Sequence, residues 1–535
     1  MERLPFFLRL LRRRAAAAPY DVRWDHDVEV PAYDGTVLLA DHYVPVGDGP
    51  WPVLLVRSAY GRGFPFNSLF GSSFAAQGFR VILQSTRGTG GSGGDFHLWR
   101  NEATDGQATV DWLRKQDWFP GAFGTIGMSY LSYVQWSLGL DPPPEWRAAI
   151  VQVAAHDFYQ GFYPDGAGAL RLELSLVSGV AFFNQAAGQA TYLRALLRLA
   201  VHLRRAIRGV PLLDSYRRAF GGRRQEFEDW VRHPYQDDLF WSGSDAGPAA
   251  DRMTVPVSLV SGWHDLTLEQ TLTQYARLRA AGQEPTLMIG PWTHTSAFDR
   301  GWSELFPDAL EHLRVHLLGE GERTTRVRVH IGDEWRELPV WPPPSTDLRL
   351  HLRPGGELGE LAGGTTSFDY DPKNPTPSFA GQLQSRTQGA RDNKPLEARA
   401  DVRTFTTGPL PEALEIMGTP TAELYASGST GHFDLFVRVC DVDPADRSVN
   451  VCDGFVRLTP DHADADPVRV VLGAAGHRFA AGHRIRLQVS GGAHPRFVRN
   501  YGTGEPLGTA VRMVATRTTV HHDSVRPSAV VLPVV

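Results

Sequence analysis

A serine lies in a glycine turn between two elements that the sequence predicts. The segment Gly127-Met128-Ser129-Tyr130-Leu131 follows a predicted strand over 124–127 and opens a predicted helix over 131–138. In a nucleophile elbow, which usually reads Gly-x-Ser-x-Gly, such a turn exposes the serine oxygen and aims the next amide at a developing oxyanion. Here the motif ends in Leu131 instead of glycine. Because Gly-x-Ser is common in purely structural turns, the strand-to-helix context is what makes Ser129 a candidate nucleophile.

Two later predicted strands end in residues that could activate a serine hydroxyl. The strand over 255–261 runs into His264 and Asp265, and the strand over 286–290 runs into His294. A serine nucleophile needs a base to take its proton and an acid to orient that base. The order Ser, Asp, His is the one that α/β-hydrolases use, and such folds place their sites at strand ends. We therefore predict Ser129 as nucleophile, His294 as base and Asp265 as the acid.

Other residues compete for these roles. Asp157 also follows a predicted strand and is a second candidate for the acid. His264 is a second candidate for the base, although its adjacency to Asp265 would point the two side chains apart. His312 and His316 have the spacing of metal ligands on a helix but lack the glutamate of H-E-x-x-H, so we predict no metal. The glycine-rich stretch 88–94 lacks the Lys-Ser/Thr of a phosphate loop, and we interpret it as a loop near the site.

The elements around these residues predict an α/β fold with two additions. Up to about residue 150, short apolar runs alternate with helical patterns, as in an α/β unit. Long helical stretches over 157–250 indicate an inserted cap. Beyond about 325, short strands broken by Gly, Pro, Asp and Asn predict a β-sandwich or jelly roll. The predicted domains are 1–155 with 251–322 as the α/β-hydrolase catalytic domain, 156–250 as the helical cap, and 323–535 as the C-terminal jelly-roll β domain.

Size and composition exclude several classes of protein. With 535 residues the chain exceeds what one core normally serves, and 42% hydrophobic and 21% charged residues are typical of a globular protein. A net charge of −5 gives no positive field for nucleic acid. Cys440 and Cys452 are interpreted as two buried thiols, with one bridge between them as the alternative. The sequence leaves a homo-oligomer open.

The first residues do not predict a secretory signal. The apolar stretch 4–11 comes before the arginines at 12–14, which is the opposite of the order that a signal peptide has. We interpret it as an amphipathic surface helix. No stretch is long and apolar enough to cross a bilayer, so we predict a cytoplasmic protein without stable membrane insertion.

Taken together, the motifs resemble those of the cocaine esterase and X-Pro dipeptidyl-peptidase family of acyl hydrolases, over most of the chain. The resemblance rests on a set of short motifs spread from the first predicted strands to the last ones. These motifs are Asp34-Gly35-Thr36, Leu39-Ala40-Asp41, Arg57-Ser58-Ala59-Tyr60, Thr86-Arg87-Gly88, Glu102, Asp105-Gly106, Trp112-Leu113, Gly127-Met128-Ser129-Tyr130, Gly262-Trp263-His264-Asp265, Gly290-Pro291-Trp292-Thr293-His294, His483-Arg484-Ile485-Arg486-Leu487, Pro495-Arg496-Phe497 and Asn500.

The resemblance implies roles for further residues. It implies the same triad, an oxyanion hole built from the Tyr60 hydroxyl and the Tyr130 amide, and the three zones described above. Tyr163 falls where the family has an aromatic pocket residue, and Phe162 is its neighbour. The chain departs from the family pattern at Ser132, where glycine is common, and at Ser85, where aspartate is common, which puts tight packing at those positions in question.

The resemblance also bears on specificity. Members that hydrolyse α-amino acid esters carry carboxylates just after the triad aspartate, to hold the substrate ammonium; here Thr267 and Leu268 occupy that segment. Asp165 in the cap is the one remaining anionic group that could hold a substrate ammonium. We expect Tyr163, Phe162, Thr267 and Leu268 to line the substrate pocket.

The expected reaction is cleavage of an ester, or secondarily an amide, of a small-molecule acyl substrate through an acyl-enzyme on Ser129, with no cofactor. One alternative uses the same triad for acyl transfer or for X-Pro dipeptidyl-peptidase-like cleavage. Another is a non-catalytic binding protein on a hydrolase fold, which would not react with a fluorophosphonate.

Overall fold

The structure, a computed structural model, describes residues 19–183, 189–322 and 327–535. The amphipathic helix predicted near the start of the chain lies outside these residues. Within them, no helix is both long enough and apolar enough to span a membrane.

The first sheet contains ten strands in the order β1-β2-β4-β3-β5-β6-β7-β8-β9-β10. Its centre, from β4 to β9, is parallel, and β2 pairs antiparallel with β4. Strands such as β3 are buried along their whole length, which is why the sequence shows continuous apolar runs there. The strands are β1 (Val22–Pro31), β2 (Val37–Pro45), β3 (Val53–Ser58), β4 (Arg80–Ser85), β5 (Phe123–Met128), β6 (Trp146–Gln152), β7 (Val257–His264), β8 (Thr286–Thr293), β9 (Val327–Ile331) and β10 (Glu334–Leu338).

Helices cover this sheet and form the cap inserted between β6 and β7. Those that accompany the sheet are Ser73–Ala75, preceded by a π-helical turn over Asn67–Ser72, Glu102–Arg114, Tyr130–Leu138, Leu268–Ala280 and Trp302–Leu313, which continues as a π-helical turn over Arg314–Leu318. Those between β6 and β7 are Phe158–Phe162, Leu172–Phe183, Gln189–Arg208, Leu212–Ser215, Arg217–Phe220, Gln225–Arg232 and Ala249–Arg252, with a 3-10 turn over Leu239–Trp241.

The C-terminal part is β-rich and has its own core. Its strands are β11 (Thr346–Arg353), β12 (Glu357–Gly359), β13 (Thr365–Tyr370), β14 (Val402–Thr406), β15 (Leu414–Gly418), β16 (Thr421–Gly428), β17 (Phe433–Val442), β18 (Ser448–Leu458), β19 (Val468–Val471), β20 (Ala475–Phe479), β21 (Arg484–Ser490), β22 (Thr516–His521) and β23 (Ala529–Val534), with 3-10 turn Pro354–Gly356 and helix Lys394–Glu397. Alternate residues of β16 are buried, the period that a half-buried strand requires. Cys440 and Cys452 are buried free thiols, as predicted.

The predicted fold class, an α/β-hydrolase domain followed by a β-rich domain, is confirmed. One detail differs from the expected division of the chain. The β9–β10 hairpin falls in the range assigned to the C-terminal domain, yet β9 pairs in parallel with β8 of the first sheet. The hairpin therefore ties the second half of the chain into the first half.

The cap and the C-terminal domain are joined by backbone hydrogen bonds. Val498 N donates to Leu170 O at 2.8 Å, and Glu173 N donates to Pro495 O at 2.9 Å. The segment 372–400 lies against β17, where Arg438 donates to Phe379 O at 2.6 Å. These contacts bring the C-terminal domain to the edge of the cap.

Candidate active site

Ser129 lies on a strained turn between β5 and the helix Tyr130–Leu138. Its φ of 54° and ψ of −120° are outside the regions that residues with a side chain ordinarily adopt. Gly127 is required beside it, because a Cβ there would lie 2.4 Å from Leu131 O. Leu131 is buried in an apolar cluster, so this turn accommodates a leucine where the usual elbow motif has glycine.

Ser132 stabilises this turn through two hydrogen bonds of its hydroxyl. Its Oγ lies 2.7 Å from Gly127 O and accepts a hydrogen bond from Gln152 N at 3.0 Å. The hydroxyl therefore ties the end of β5 to the end of β6. The substitution of serine for the family's common glycine is accommodated by these bonds and does not loosen the packing.

His294 and Asp265 reach Ser129 from the carboxyl ends of β8 and β7. His294 Nε2 lies 3.1 Å from Ser129 Oγ, and His294 Nδ1 lies 2.7 Å from Asp265 Oδ1. The parallel pairing of β7 with β8 places His264 opposite Thr293, so the residues that follow these two positions are neighbours. The three side chains predicted from strand ends are thus brought into one hydrogen-bonded chain.

Asp265 is buried and fully bonded. Its Oδ2 accepts from the hydroxyls of Ser261 and Thr267, both at 2.7 Å. Burial by itself raises the pKa of Asp265, but the charge and hydrogen bond of His294 and these two hydroxyls outweigh it and lower the pKa. The carboxylate is therefore charged and accepts a hydrogen bond from His294 Nδ1–H. In this tautomer His294 Nε2 has no proton and can accept one from Ser129.

Tyr60 and the amide of Tyr130 lie beside the nucleophile. The Tyr60 hydroxyl lies 3.3 Å from Ser129 Oγ, and the Tyr130 amide N–H donates to the Tyr60 hydroxyl oxygen. Burial raises the pKa of Tyr60, so its phenol keeps its proton and can donate it. This is the arrangement that the sequence predicts for an oxyanion hole.

A buried network that the sequence did not assign holds Tyr130. Tyr130 Oη donates to Glu102 Oε1 at 2.9 Å, and Arg57 Nη2 donates to Glu102 Oε2 at 3.0 Å. All three residues stand in motifs of the family resemblance, which was the available signal. The network fixes the side chain of the residue whose amide faces Ser129.

The competing residues lie elsewhere. Asp157 accepts from Gln160 N at 3.3 Å at the start of the helix Phe158–Phe162. Burial lowers the pKa of His264 to about 4, and His294 occupies the place beside Ser129. His312 and His316 have ring centroids 4.6 Å apart. The described ranges contain no group of three side chains that could hold a metal ion.

A cavity of about 810 Å³ opens beside Ser129. Its wall is mainly apolar and comes from the segment after β3, from the cap and from the loop after β7. The lining residues include Phe64, Pro65, Phe66, Leu69, Phe158, Phe162, Leu174, Val177, Phe182, Tyr192, Leu193, Leu196, Leu266 and Thr267. Of the four predicted pocket residues, Phe162 and Thr267 line this cavity.

The other two pocket predictions are corrected by the structure. Tyr163 is fully buried outside the cavity wall, and its hydroxyl donates to Trp230 O at 2.7 Å. Leu268 begins the helix Leu268–Ala280 and is fully buried, so it too does not face the cavity. In both cases the side chain turns into the core at one end of a helix while its neighbour in sequence faces the cavity.

Two polar residues of the cavity wall were missed by the sequence analysis. Arg171 precedes the helix Leu172–Phe183, and Gln384 lies in the loop over 372–400. Neither belongs to a motif of the family resemblance, and they are more than 200 residues apart in sequence. Only the docking of the C-terminal domain on the cap brings them to one cavity.

Comparison with known proteins agrees with this architecture. Residues 34–296 match the X-Pro dipeptidyl-peptidase (S15) family, and residues 306–531 match the C-terminal non-catalytic domain of X-Pro dipeptidyl-peptidases. A cocaine esterase from Rhodococcus sp. (strain MB1 Bresler) is 28% identical over 95% of this chain and 98% of its own length. The chain belongs to the cocaine esterase and X-Pro dipeptidyl-peptidase family. It is thus a serine hydrolase of a family that acts on esters or X-Pro peptides.

Solved structures share the fold of this family member along its whole length. An α-amino acid ester hydrolase superposes with a TM-score of 0.81 at 22% identity, covering 98% of both chains. An aminopeptidase from a marine sediment Thaumarchaeota archaeon gives a TM-score of 0.79, also at 22% identity and 98% coverage of both chains. The cap and the β-rich domain are therefore parts of the shared fold.

Proposed function

We propose that this family member cleaves the ester bond of a small-molecule acyl substrate through an acyl-enzyme on Ser129. The observation that carries the proposal is the continuous chain of hydrogen bonds from Ser129 Oγ through His294 to Asp265. As Oγ attacks the acyl carbonyl, its proton passes to His294 Nε2, and Asp265 stabilises the imidazolium that forms. His294 then protonates the leaving alcohol, and water repeats the sequence to release the acid.

The oxyanion of the tetrahedral intermediate would be held by Tyr60 and the Tyr130 amide. The Tyr60 hydroxyl lies 3.3 Å from Ser129 Oγ and accepts from the Tyr130 amide, so both donors are in place beside the nucleophile before any substrate is present. Donors that are already oriented cost no reorganisation in the transition state, which is why such groups contribute strongly to rate.

The segment after Asp265 and Asp165 of the cap supply no carboxylate to the cavity, which favours a neutral or anionic ester over a substrate with an ammonium group. Thr267, not a carboxylate, lines the cavity after Asp265, and its hydroxyl is occupied by Asp265 Oδ2. Asp165 is not part of the cavity wall, and its Oδ1 accepts from Ala167 N and Ala169 N. A peptide with a free N-terminus therefore finds no carboxylate from either position.

The test is the pre-steady-state release of p-nitrophenol from a short-chain p-nitrophenyl ester by the native protein and by Ser129→Ala. We expect a burst near one equivalent that is absent from the variant, whose steady-state kcat falls by about 10⁵–10⁶. Equal release by both proteins would contradict the assignment of Ser129. Intact-mass analysis after a fluorophosphonate gives a second readout, since only a reactive serine gains the phosphonyl group.

A further inference from the structure

Arg171 lies on the wall of the cavity that contains Ser129. It directly precedes the helix Leu172–Phe183, and its backbone N donates to Phe162 O at 2.8 Å. Its Nη1 donates to Leu266 O at 3.3 Å, the carbonyl that directly follows Asp265 in the chain. The residue is only partly exposed, and it lines the cavity. The guanidinium is therefore held next to the loop that follows Asp265 and is open to the cavity.

The guanidinium of Arg171 is incompletely bonded. Its Nε is buried and has no hydrogen-bond partner. Across the described ranges, no carboxylate forms an ion pair with it. Burial lowers the pKa of Arg171 to about 10, so the group still carries its charge at neutral pH.

Three carboxylates, Asp453, Glu269 and Asp165, act on Arg171 through their charge, and each of them is bonded to another group; Asp165 Oδ1 accepts from Ala167 N at 3.2 Å. Asp453 pairs with Arg438 at 2.8 Å and with Arg496 at 2.5 Å. Glu269 Oε1 accepts from Ala474 N at 2.8 Å. These groups moderate the field at Arg171, but across the described ranges none of them forms an ion pair with its guanidinium.

A second arginine of the same cavity shows the contrast. Arg62 also lines the cavity, but it pairs with Asp41 at 2.9 Å and with Asp27 at 2.5 Å. It also donates to Ser85 Oγ at 2.8 Å. The two ion pairs of Arg62 explain its place in the cavity wall, whereas Arg171 has no ion pair within the described ranges.

An unpaired, buried cation at this position opposes folding. Burial without a partner costs solvation free energy, and the amino end of a helix already carries partial positive charge. A cationic side chain directly before Leu172 is therefore unfavourable on both grounds. Such a residue is explained when a ligand supplies the missing negative charge.

Gln384 adds a second unsatisfied group to the same cavity. It comes from the loop over 372–400, and its Oε1 is buried without a hydrogen-bond partner. Because the two ends of a side-chain amide are assigned from their surroundings, either the oxygen or the NH₂ group could face the cavity. In the second orientation it would donate to the same acceptor as Arg171.

We propose that Arg171, assisted by Gln384, forms a carboxylate-binding subsite, and that the substrate is an ester that carries a free carboxylate besides the ester carbonyl attacked by Ser129. A planar guanidinium with free N–H groups matches a carboxylate. The apolar wall between the two ends suits a hydrocarbon spacer. This inference deepens the proposed function, on which its catalytic part rests.

The first test measures binding without catalysis. Ser129→Ala is titrated calorimetrically with 4-phenylbutyrate and with neutral 4-phenylbutyramide. We expect the carboxylate to bind at least about ten-fold more tightly, and this preference to vanish when Arg171→Met is added. Arg194→Met, which removes an exposed arginine of the helix Gln189–Arg208, should leave it unchanged. A preference that survives Arg171→Met, or that is absent when Arg171 is present, overturns the subsite.

The second test uses p-nitrophenyl monoesters of dicarboxylic acids with four to eight carbons, each compared with its methyl ester. In the native enzyme kcat/KM should favour the free acid by about ten-fold or more at one chain length, and Arg171→Met should bring the ratio of kcat/KM for the acid to that for its methyl ester to about one. Arg171→Lys should restore part of it. Equal kcat/KM for acid and methyl ester at every length contradicts the inference.

Thermal unfolding separates this role from a structural one. An arginine that stabilises the fold lowers Tm when it is removed, whereas Arg171→Met should hold or raise Tm. Carboxylate binding in Ser129→Ala without a p-nitrophenol burst in the native protein would refute the proposed function and keep the subsite. A burst without carboxylate preference would do the reverse.

Discussion

The two sides of the cavity differ in how their polar groups are bonded. On the catalytic side, both ring nitrogens of His294 and both oxygens of Asp265 have partners inside the protein. On the opposite side, formed by the cap and the C-terminal domain, Arg171 Nε and Gln384 Oε1 are buried without partners. The difference teaches that the reacting groups are oriented before a substrate arrives, whereas the recognising groups are completed by it.

The largest expected effect tests whether the catalytic side acts as one bonded unit. Asp265→Asn should lower kcat by about 10⁴, because an amide no longer fixes the tautomer of His294 that accepts from Ser129. The measurement is kcat for a p-nitrophenyl ester near neutral pH.

Asp157→Asn is the matched control for this change. Asp157 is also a buried carboxylate after a strand, but its side chain bonds Gln160 N and not His294. Its kcat should stay within about three-fold of the native value. Comparable losses in the two variants would remove the special role of Asp265 and reopen the choice of acid.

The next effect tests the donor that is already in place beside Ser129. Tyr60→Phe should lower kcat by about 10²–10³ with a smaller change in KM, since the lost hydrogen bond is made mainly in the transition state. Tyr163→Phe removes a hydroxyl that bonds Trp230 O outside the cavity and should cost stability of about 1 kcal/mol with kcat unchanged. If Tyr60→Phe behaved like Tyr163→Phe, the oxyanion hole would need another donor.

These residues also show how far the sequence reached. Ser129, Asp265 and His294 could be predicted because parallel strands place their carboxyl ends together, and order and strand position are visible in the sequence. Phe162 and Thr267 followed from the family resemblance, as neighbours in sequence of Tyr163 and Asp265. The catalytic side of the cavity could therefore be predicted from features that are visible locally in the sequence.

The rest depended on packing between distant segments. Tyr163 and Leu268 were wrong as pocket residues because a shift of one position at the end of a helix decides between core and cavity, and the sequence does not resolve it. Arg171 and Gln384 were missed because the contact between the cap and the C-terminal domain has no local signal. The β9–β10 hairpin fell in the range assigned to the C-terminal domain for the same reason, since the pairing of β9 with β8 is decided by tertiary structure.

The smallest expected effect tests whether the buried charge of a cap carboxylate, Asp157, lowers the stability of the fold. Burial, with Asp245 nearby, raises the pKa of Asp157 to about 6, above that of an unfolded aspartate. The native state therefore favours the protonated form of Asp157. The contribution of this residue to the free energy of unfolding is greatest at acid pH and is lost as the pH rises through about 6. Asp157→Asn should match the native protein near pH 4 and exceed it by about 1–2 kcal/mol near pH 7.5.

Urea unfolding at the two pH values measures this difference. The comparison is made between native protein and Asp157→Asn at equal ionic strength, with Asp165→Asn as a second buried cap carboxylate whose pKa burial also raises. An advantage of Asp157→Asn that shrinks with rising pH would have the wrong sign and contradict the cause given for the shifted pKa.

The β9–β10 hairpin limits how this enzyme can be divided or recombined. Leu287, Met288 and Ile289 of β8 pair with β9, which is contributed by chain beyond the last helix of the α/β region. A truncation before Val327 would leave a buried, apolar parallel strand as an open sheet edge, the kind of surface that recruits other chains into aggregates. The catalytic half is consequently not a portable module, and exchange of C-terminal domains between relatives has to carry the hairpin with the sheet that it closes.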